Sequence, residues 1–334
     1  AEGRGAYREL FVSDVVPTDE VMLAVANSET VSVGFANWYF NKEDKKPSLV
    51  RPFVNTYLNS DGSFYSETKT DGNFKTFLEE TSGRDLRLNQ TIRAYDYTRK
   101  DGKGNWKRTI PDLGYSLSGY HITKYSLDDA AYDVWGANGN DIPIMRYAEV
   151  LLNYAEAKAE LGLLTDDDWK NTIGQLRRRA GITGGDLNTK PTTVDNYLKS
   201  TFYPSVSNPV LLEIRRERTI ELCLEGFRLN DLKRWNCGNL WRDIKWTGIF
   251  VPALDTPLDL NGDGVFDAYF AKNSAPTEYS GIIVNISTPL QLLGVTGGYV
   301  IHDGLAGRVW ENRMYLQPVS ISDITMNDAL TQNP

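Results

Sequence analysis

The stretch Asp259-Leu260-Asn261-Gly262-Asp263-Gly264-Val265-Phe266-Asp267 spaces its oxygen atoms as a hard cation requires. Side-chain oxygens fall at loop positions 1, 3, 5 and 9, the Val265 carbonyl at 7, and Gly264 at the sharp turn. Calcium takes such oxygen-rich loops. The bidentate glutamate expected at position 12 is replaced by Phe270, and no helical pattern flanks the loop. The spacing therefore predicts a structural calcium loop completed by a distant carboxylate or water, with Asp259, Asn261, Asp263, Val265 and Asp267 as ligands. The plain alternative is an acidic turn that binds nothing.

Aromatic side chains are the second chemical resource. Eight Trp and 18 Tyr are generous for 334 residues. Their flat apolar faces suit stacking on the C–H face of a sugar ring while polar neighbours bond its hydroxyls. Trp38, Tyr39, Trp106 and Trp135 lie in segments that read as loops, close to Asn37, Asn41, Asn105, Asn138 and Asn140. They are the candidate ligand contacts, Trp106 first and Trp135 second. Trp106 follows the polar turn Asp101-Gly102-Lys103-Gly104-Asn105, which is hard to bury. Trp169, Trp235 and Trp310 read as packing residues. Trp241 and Trp246 suit either role.

Material for catalysis is thin. His121 and His302 are the only histidines, which leaves little for a His-dependent triad or a zinc site. Nucleophile-elbow, zincin, Walker A and dinucleotide motifs are missing from the sequence. A carboxylate pair would serve a glycosidase, but the pattern of 44 Asp and Glu does not locate one.

The elements that must hold these groups fall into three stretches. Residues 1–142 are loop-rich with short strand patches at Val21–Val25 and His121–Tyr125, and turns at Asp61-Gly62, Asp71-Gly72 and Asp101-Gly102. Residues 143–236 carry two helical hairpins. The first starts at Pro143 and repeats apolar residues at Ile144, Tyr147, Ala148, Leu151, Leu152, Ala155 and Ala159. It turns at Gly162, restarts from a Thr165 cap with Asp166, Asp167 and Asp168 in the first turn, and closes at Gly181. The second pairs an amphipathic helix with a short one across Gly226; Ile214, Ile220, Leu222, Leu224, Phe227, Leu229, Leu232 and Trp235 are apolar, and Glu213, Arg215, Arg218 and Glu221 polar. Residues 237–334 return to loop and short strand.

The series Glu217-Arg218, Glu221-Leu222, Glu225-Gly226-Phe227-Arg228, Asp231-Leu232 and Arg234-Trp235 resembles the C-terminal signature of the SusD/RagB family. Further matches follow in family order: Arg146-Tyr147-Ala148-Glu149-Val150-Leu151-Leu152 with Tyr154-Ala155-Glu156-Ala157, Leu176-Arg177-x-Arg179-Ala180-Gly181, Arg313-x-Tyr315-Leu316-x-Pro318-Val319, and Asn327-x-x-Leu330-x-Gln332-Asn333-Pro334. Arg84-Asp85-Leu86-Arg87 matches with Leu86 in place of a proline. The likeness covers about residues 50–334 and is weak before that. It implies a single mainly α domain over 1–334. Tetratricopeptide-like hairpins would support an irregular layer of loops and short strands, and the family's N-terminal helical half would be lacking. It also implies a lipid-anchored protein on the outer face of the outer membrane. Such a protein captures an oligosaccharide, polysaccharide or other nutrient without catalysis and passes it to a SusC-like TonB-dependent transporter. The alternatives are a carbohydrate-active enzyme and a transporter lid with no glycan site of its own.

Composition fits a soluble globular protein, and export is implied by the resemblance alone. A net charge of −8 excludes a nucleic-acid partner that needs a basic face. Arg177-Arg178-Arg179 is the one dense basic run and reads as a solvated helix surface. No apolar run reaches the ~18 residues of a membrane helix, and Ala1-Glu2-Gly3-Arg4 opens without the apolar core of a signal peptide. Cys223 sits in an apolar stripe where a buried thiol is expected.

Overall fold

The computed structural model describes residues 5–28, 30, 34–272, 275–277, 279–287, 290–302 and 307–332. Asn333 and Pro334 of the terminal motif lie outside the described residues.

The family-like helices form as the periodicity predicts, with one displaced start. Pro143 does not open a helix. It sits in the strand Ile142–Arg146, which pairs antiparallel with Val21–Val25, and the helix runs Tyr147–Glu160. The lone apolar alternation before Tyr147 suits a strand as well as a helix, and the partner strand decides. Ala148, Leu152 and Ala155 turn inward along the helix and meet Ile214 of the helix Pro209–Glu221. Two alanines on the contact face let the backbones approach closely. The return helix is interrupted. Asp166–Asn171 starts in a capping box between Thr165 and Asp168, and Thr172 then leaves helical geometry before Ile173–Arg179. The Thr172 hydroxyl donates to the Asp168 carbonyl at 2.6 Å, a back-bond that bends helices.

Gly226 has φ +87° between Pro209–Glu221 and Arg228–Arg234, the left-handed conformation that glycine adopts without strain. Ile220 reaches the central core beside Tyr57, Ile92, Tyr120, Ile249, Val251 and Phe270. This contact ties the helices to the C-terminal strands. Those strands form two three-stranded sheets. In one, Gly298–His302 lies between Thr247–Val251 and Leu290–Leu293, all antiparallel. In the other, Ala268–Ala271 pairs antiparallel with Pro257–Leu258 and parallel with Ile282–Asn285. His121–Tyr125, expected as a strand, makes only isolated bridges from His121 to Ser48 and from Ile122 to Ile92. Among the described residues, no helix is long and apolar enough to cross a membrane.

The polar residues of the signature helix do not face water. Glu213, Arg215, Arg216, Glu217, Arg218 and Glu221 are all buried. Arg177 bonds Glu213 at 2.5 Å and Glu217 at 2.8 Å; Arg87 bonds Glu217 at 3.0 Å and Glu221 at 2.9 Å. Arg146 reaches Glu221 at 2.5 Å and Glu225 at 2.7 Å. The expectation of a solvated Arg177–Arg179 run is therefore corrected. Arg177 is buried, Arg179 pairs with Glu20 and Glu221, and only Arg178 is exposed. Alternating Arg and Glu at helical spacing gives the same sequence pattern whether the charges meet solvent or each other.

Candidate functional site

Three of the four predicted ligand aromatics converge, although about a hundred residues separate them in the chain. Trp38 and Tyr39 stand on the short helix Ala36–Asn41. Trp135 comes from the segment after the turn Ala130–Tyr132. An amide cluster bolts the two segments together. The Asn37 backbone N–H donates to Asn138 Oδ1 at 2.9 Å, and Asn138 Nδ2 donates back to Asn37 Oδ1 at 2.8 Å. Asn37 Nδ2 donates to the Leu127 carbonyl at 2.9 Å, and Asn41 Nδ2 to Asp133 Oδ1 at 3.0 Å. Asn140 Nδ2 closes the set on the Phe11 carbonyl at 2.8 Å. Asn37, Asn41, Asn138 and Asn140 are thus buried structural amides. They set the aromatic residues in place, and Asn138 and Asn140 also line the cavity beside them.

On this frame Trp135 stacks on Phe35 with centroids 5.1 Å apart and planes 6° from parallel. Trp38 meets Trp135 edge-on at 4.8 Å, and Tyr39 meets Phe35 at 6.2 Å. Trp135 remains 64% exposed. Beside the cluster lies a cavity of about 360 Å³, with Phe35, Tyr39, Tyr125 and Ile142 among its walls. Phe35 was not among the expected site residues. Its signal is local: it precedes Trp38 and Tyr39 by three and four positions, the spacing of one helical face.

Trp106 belongs elsewhere. It is the first residue of a strand, Trp106–Arg108, that pairs with Thr98–Lys100, and not part of a loop. Its indole is 49% exposed and lies 5.7 Å from the Lys100 ammonium. It shares no ring contact with the Trp135 cluster among the described residues. The packing residues sit as expected. Trp235 is buried, donates its indole N–H to Glu156 at 2.6 Å and meets Tyr203 edge-on; Trp169 is buried and bonds the Asp186 carbonyl.

The loop at 259–267 is laced by its own backbone. Asp259 accepts from the Gly262 N–H at 2.6 Å and the Gly264 N–H at 2.9 Å. Asn261 accepts from the Asp263 N–H, Asp263 from Val265, and Asp267 from Leu260. Burial pushes the Asp267 carboxyl up; the Leu260 N–H offsets this in part, and the charges of Asp263 and Asp259 push it further. Three mutually repelling carboxylates are chemically suited to a cation. Among the described residues, however, no group of three His, Cys, Asp or Glu side chains gathers in a metal-holding arrangement. Phe270 points into the core and offers no ligand.

Of the two histidines, His121 is buried, and burial with the nearby Arg93 and Arg99 charges holds its pKa well below the usual imidazole value. Its Nδ1 accepts the Asp112 N–H at 3.2 Å. It is a neutral hydrogen-bonding post between segments.

The sequence profile of the SusD family matches residues 35–334. The fold is similar to that of a SusD-like protein from Bacteroides fragilis NCTC 9343, with a TM-score of 0.58 at 20% identity over 98% of this chain and 56% of that one. A SusD-like carbohydrate binding protein from the same organism matches 78% of this chain and 51% of its own, with a TM-score of 0.52 at 22% identity. The chain spans about half the length of these solved relatives. No curated protein matches it.

Proposed function

The chain belongs to the SusD family, and from that premise we propose that it captures a glycan by non-covalent stacking and performs no chemistry on it. The observation that carries this reading is the cluster of Phe35, Trp38, Tyr39 and Trp135, held by buried amides and still leaving Trp135 mostly in solvent. A single exposed ring is common on protein surfaces. Four rings from two distant segments, fixed by a dedicated hydrogen-bond frame, form a preorganised platform, and preorganisation reduces the ordering cost of binding. Stacking on a sugar ring, with hydroxyls bonded by rim residues, is the interaction such a platform offers. Trp106 on its separate hairpin supplies a second contact for a ligand long enough to reach it.

In this reading the protein sits at the outer face of the outer membrane through a lipid anchor and hands its ligand to a SusC-like TonB-dependent transporter. The hairpin of Tyr147–Glu160 with Asp166–Arg179, packed on Pro209–Glu221, is the tetratricopeptide-like support of the binding layer. A calcium ion, where bound, would be held by Asp259, Asn261, Asp263, Asp267 and the Val265 carbonyl and would pin the loop. The repulsion felt by Asp267 supports that role.

A glycan array followed by calorimetry with the Trp135→Ala variant tests the proposal. Binding that falls at least about tenfold with melting unchanged supports it. Binding that survives the substitution refutes the platform. The bound glycan should also keep its chain length on prolonged incubation; shortening abolished by one Asp or Glu substitution would establish an enzyme instead.

A further inference from the structure

A second and larger cavity adjoins the first at Leu224, which lines both, and none of the four clustered rings lines it. It encloses about 570 Å³ between the turn after Pro209–Glu221, the helix Arg228–Arg234, the 48–53 segment and the Trp241–Trp246 segment. That volume is in the range of small-molecule sites. Its walls are mainly apolar: Leu49, Phe53, Leu222 and Leu232 line it, Leu229 is 54% exposed along it, and Trp241 and Trp246 meet edge-on at 4.9 Å within its lining. Leu224 and Leu229, two of the apolar positions of the helix pair, are exposed and line this cavity.

The charges on the wall do not cancel. Arg218 and Asp231 pair at 2.9 Å, and Arg234 adds a second bond to Asp231 at 2.8 Å, so the Asp231 carboxylate is fully compensated. Glu225, at the neighbouring turn, is taken by Arg146 and Lys124. Arg228 is different. Its guanidinium donates to two neutral hydroxyls, Thr219 Oγ1 at 3.0 Å and Tyr203 Oη at 3.3 Å, and it forms no ion pair among the described residues. The chain is acidic overall, and most of its buried or half-buried arginines sit against carboxylates. An arginine left with hydroxyl partners at the edge of an apolar cavity retains one uncompensated positive charge and spare donors. Guanidinium is the side chain best matched to a carboxylate.

We infer that this cavity is a binding site for an amphipathic carboxylate: an alkyl or aryl body takes the apolar walls and the carboxylate takes Arg228. The site is chemically distinct from the glycan platform: none of Phe35, Trp38, Tyr39 or Trp135 lines it, and the two cavities share Leu224.

Decanoate is the probe, with decanol as its uncharged match. Trp241 and Trp246 report directly, because a bromine-labelled decanoate bound in the cavity lies within quenching range of both. Saturable quenching and calorimetric binding of decanoate below its micellar range is expected, with decanol about tenfold weaker, as the loss of one charge-assisted hydrogen-bond pair implies. Arg228→Gln should lose that preference, Arg228→Lys should keep most of it, and the exposed Arg178→Gln should bind like the parent. Absence of saturable binding overturns the proposal. So does equal affinity for decanol and decanoate in the parent, a comparison that stands even if Arg228→Gln fails to fold. Because the probe is not a sugar, failure here leaves the glycan reading untouched, and failure of glycan binding leaves this one untouched.

Discussion

Glu221→Gln is the substitution that most directly tests the buried charge network. Glu221 is fully buried, and its carboxylate is shared by three guanidiniums. Arg146 bonds Oε1 at 2.5 Å, Arg179 bonds the same oxygen, and Arg87 bonds Oε2 at 2.9 Å. An amide of the same shape removes the charge and turns one N–H₂ toward donors that need an acceptor. Removing one partner of a buried pair costs about 3–5 kcal/mol. The low end applies here, because Arg87 keeps Asp85 and Glu217, and Arg146 keeps Glu225. At an unfolding entropy of about 2.1 cal/mol/K per residue, 334 residues give about 0.7 kcal/mol/K, so about 3 kcal/mol lowers the Tm by about 4 °C. Acid should narrow that gap. Burial alone would raise the Glu221 carboxyl, but Arg179, Arg146 and Arg87 outweigh it and hold it well below the usual range. A depressed folded pKa stabilises above the unfolded value, about 4.3, and that stabilisation is lost as pH falls through the folded value. The amide has no such term. Thermal melts of parent and variant at pH 7 and at successively lower pH are the assay. A gap under about 1 °C at pH 7 refutes the reasoning, and so does a gap that stays constant as the pH falls below about 4.

Trp235→Ala should cost about 3–5 kcal/mol, the usual loss for a packed Trp, and should be seen as a lower Tm or lost expression; near-parent melting would contradict its placement between Glu156 and Tyr203. Trp106→Ala should change stability by no more than about 0.5 kcal/mol, because its indole is half exposed on a two-stranded hairpin, and a large fall in Tm would show that the hairpin carries structure. Asp263→Ala should lower the Tm in calcium and leave it unchanged after chelation, whereas equal shifts in both conditions would exclude a cation at the loop.

The helix pair, its break at Gly226, the Thr165 cap and the Val21–Val25 strand were legible in the sequence because each depends on neighbours a few positions away. The strand character of Pro143 was not, since it depends on a partner more than a hundred residues earlier. The burial of the signature helix was hidden for a related reason. Arg and Glu at positions 213–221 repeat as an exposed helix face does, and their partners Arg87, Arg146 and Arg177 come from three separate segments. The candidate site shows the same division. Residue type marked Trp38, Tyr39 and Trp135 as ligand aromatics one by one. What makes them a platform is the mutual bonding of Asn37 and Asn138, which the sequence shows only as two amides in loops. A buried amide must find partners inside the protein, and these do, while Asn138 and Asn140 still line the cavity beside the rings. Under the proposed glycan reading, the polar contacts to a ligand would come from the cavity wall and the rim around the rings. Trp135 and its ring neighbours would supply the stacking surface on which those contacts act.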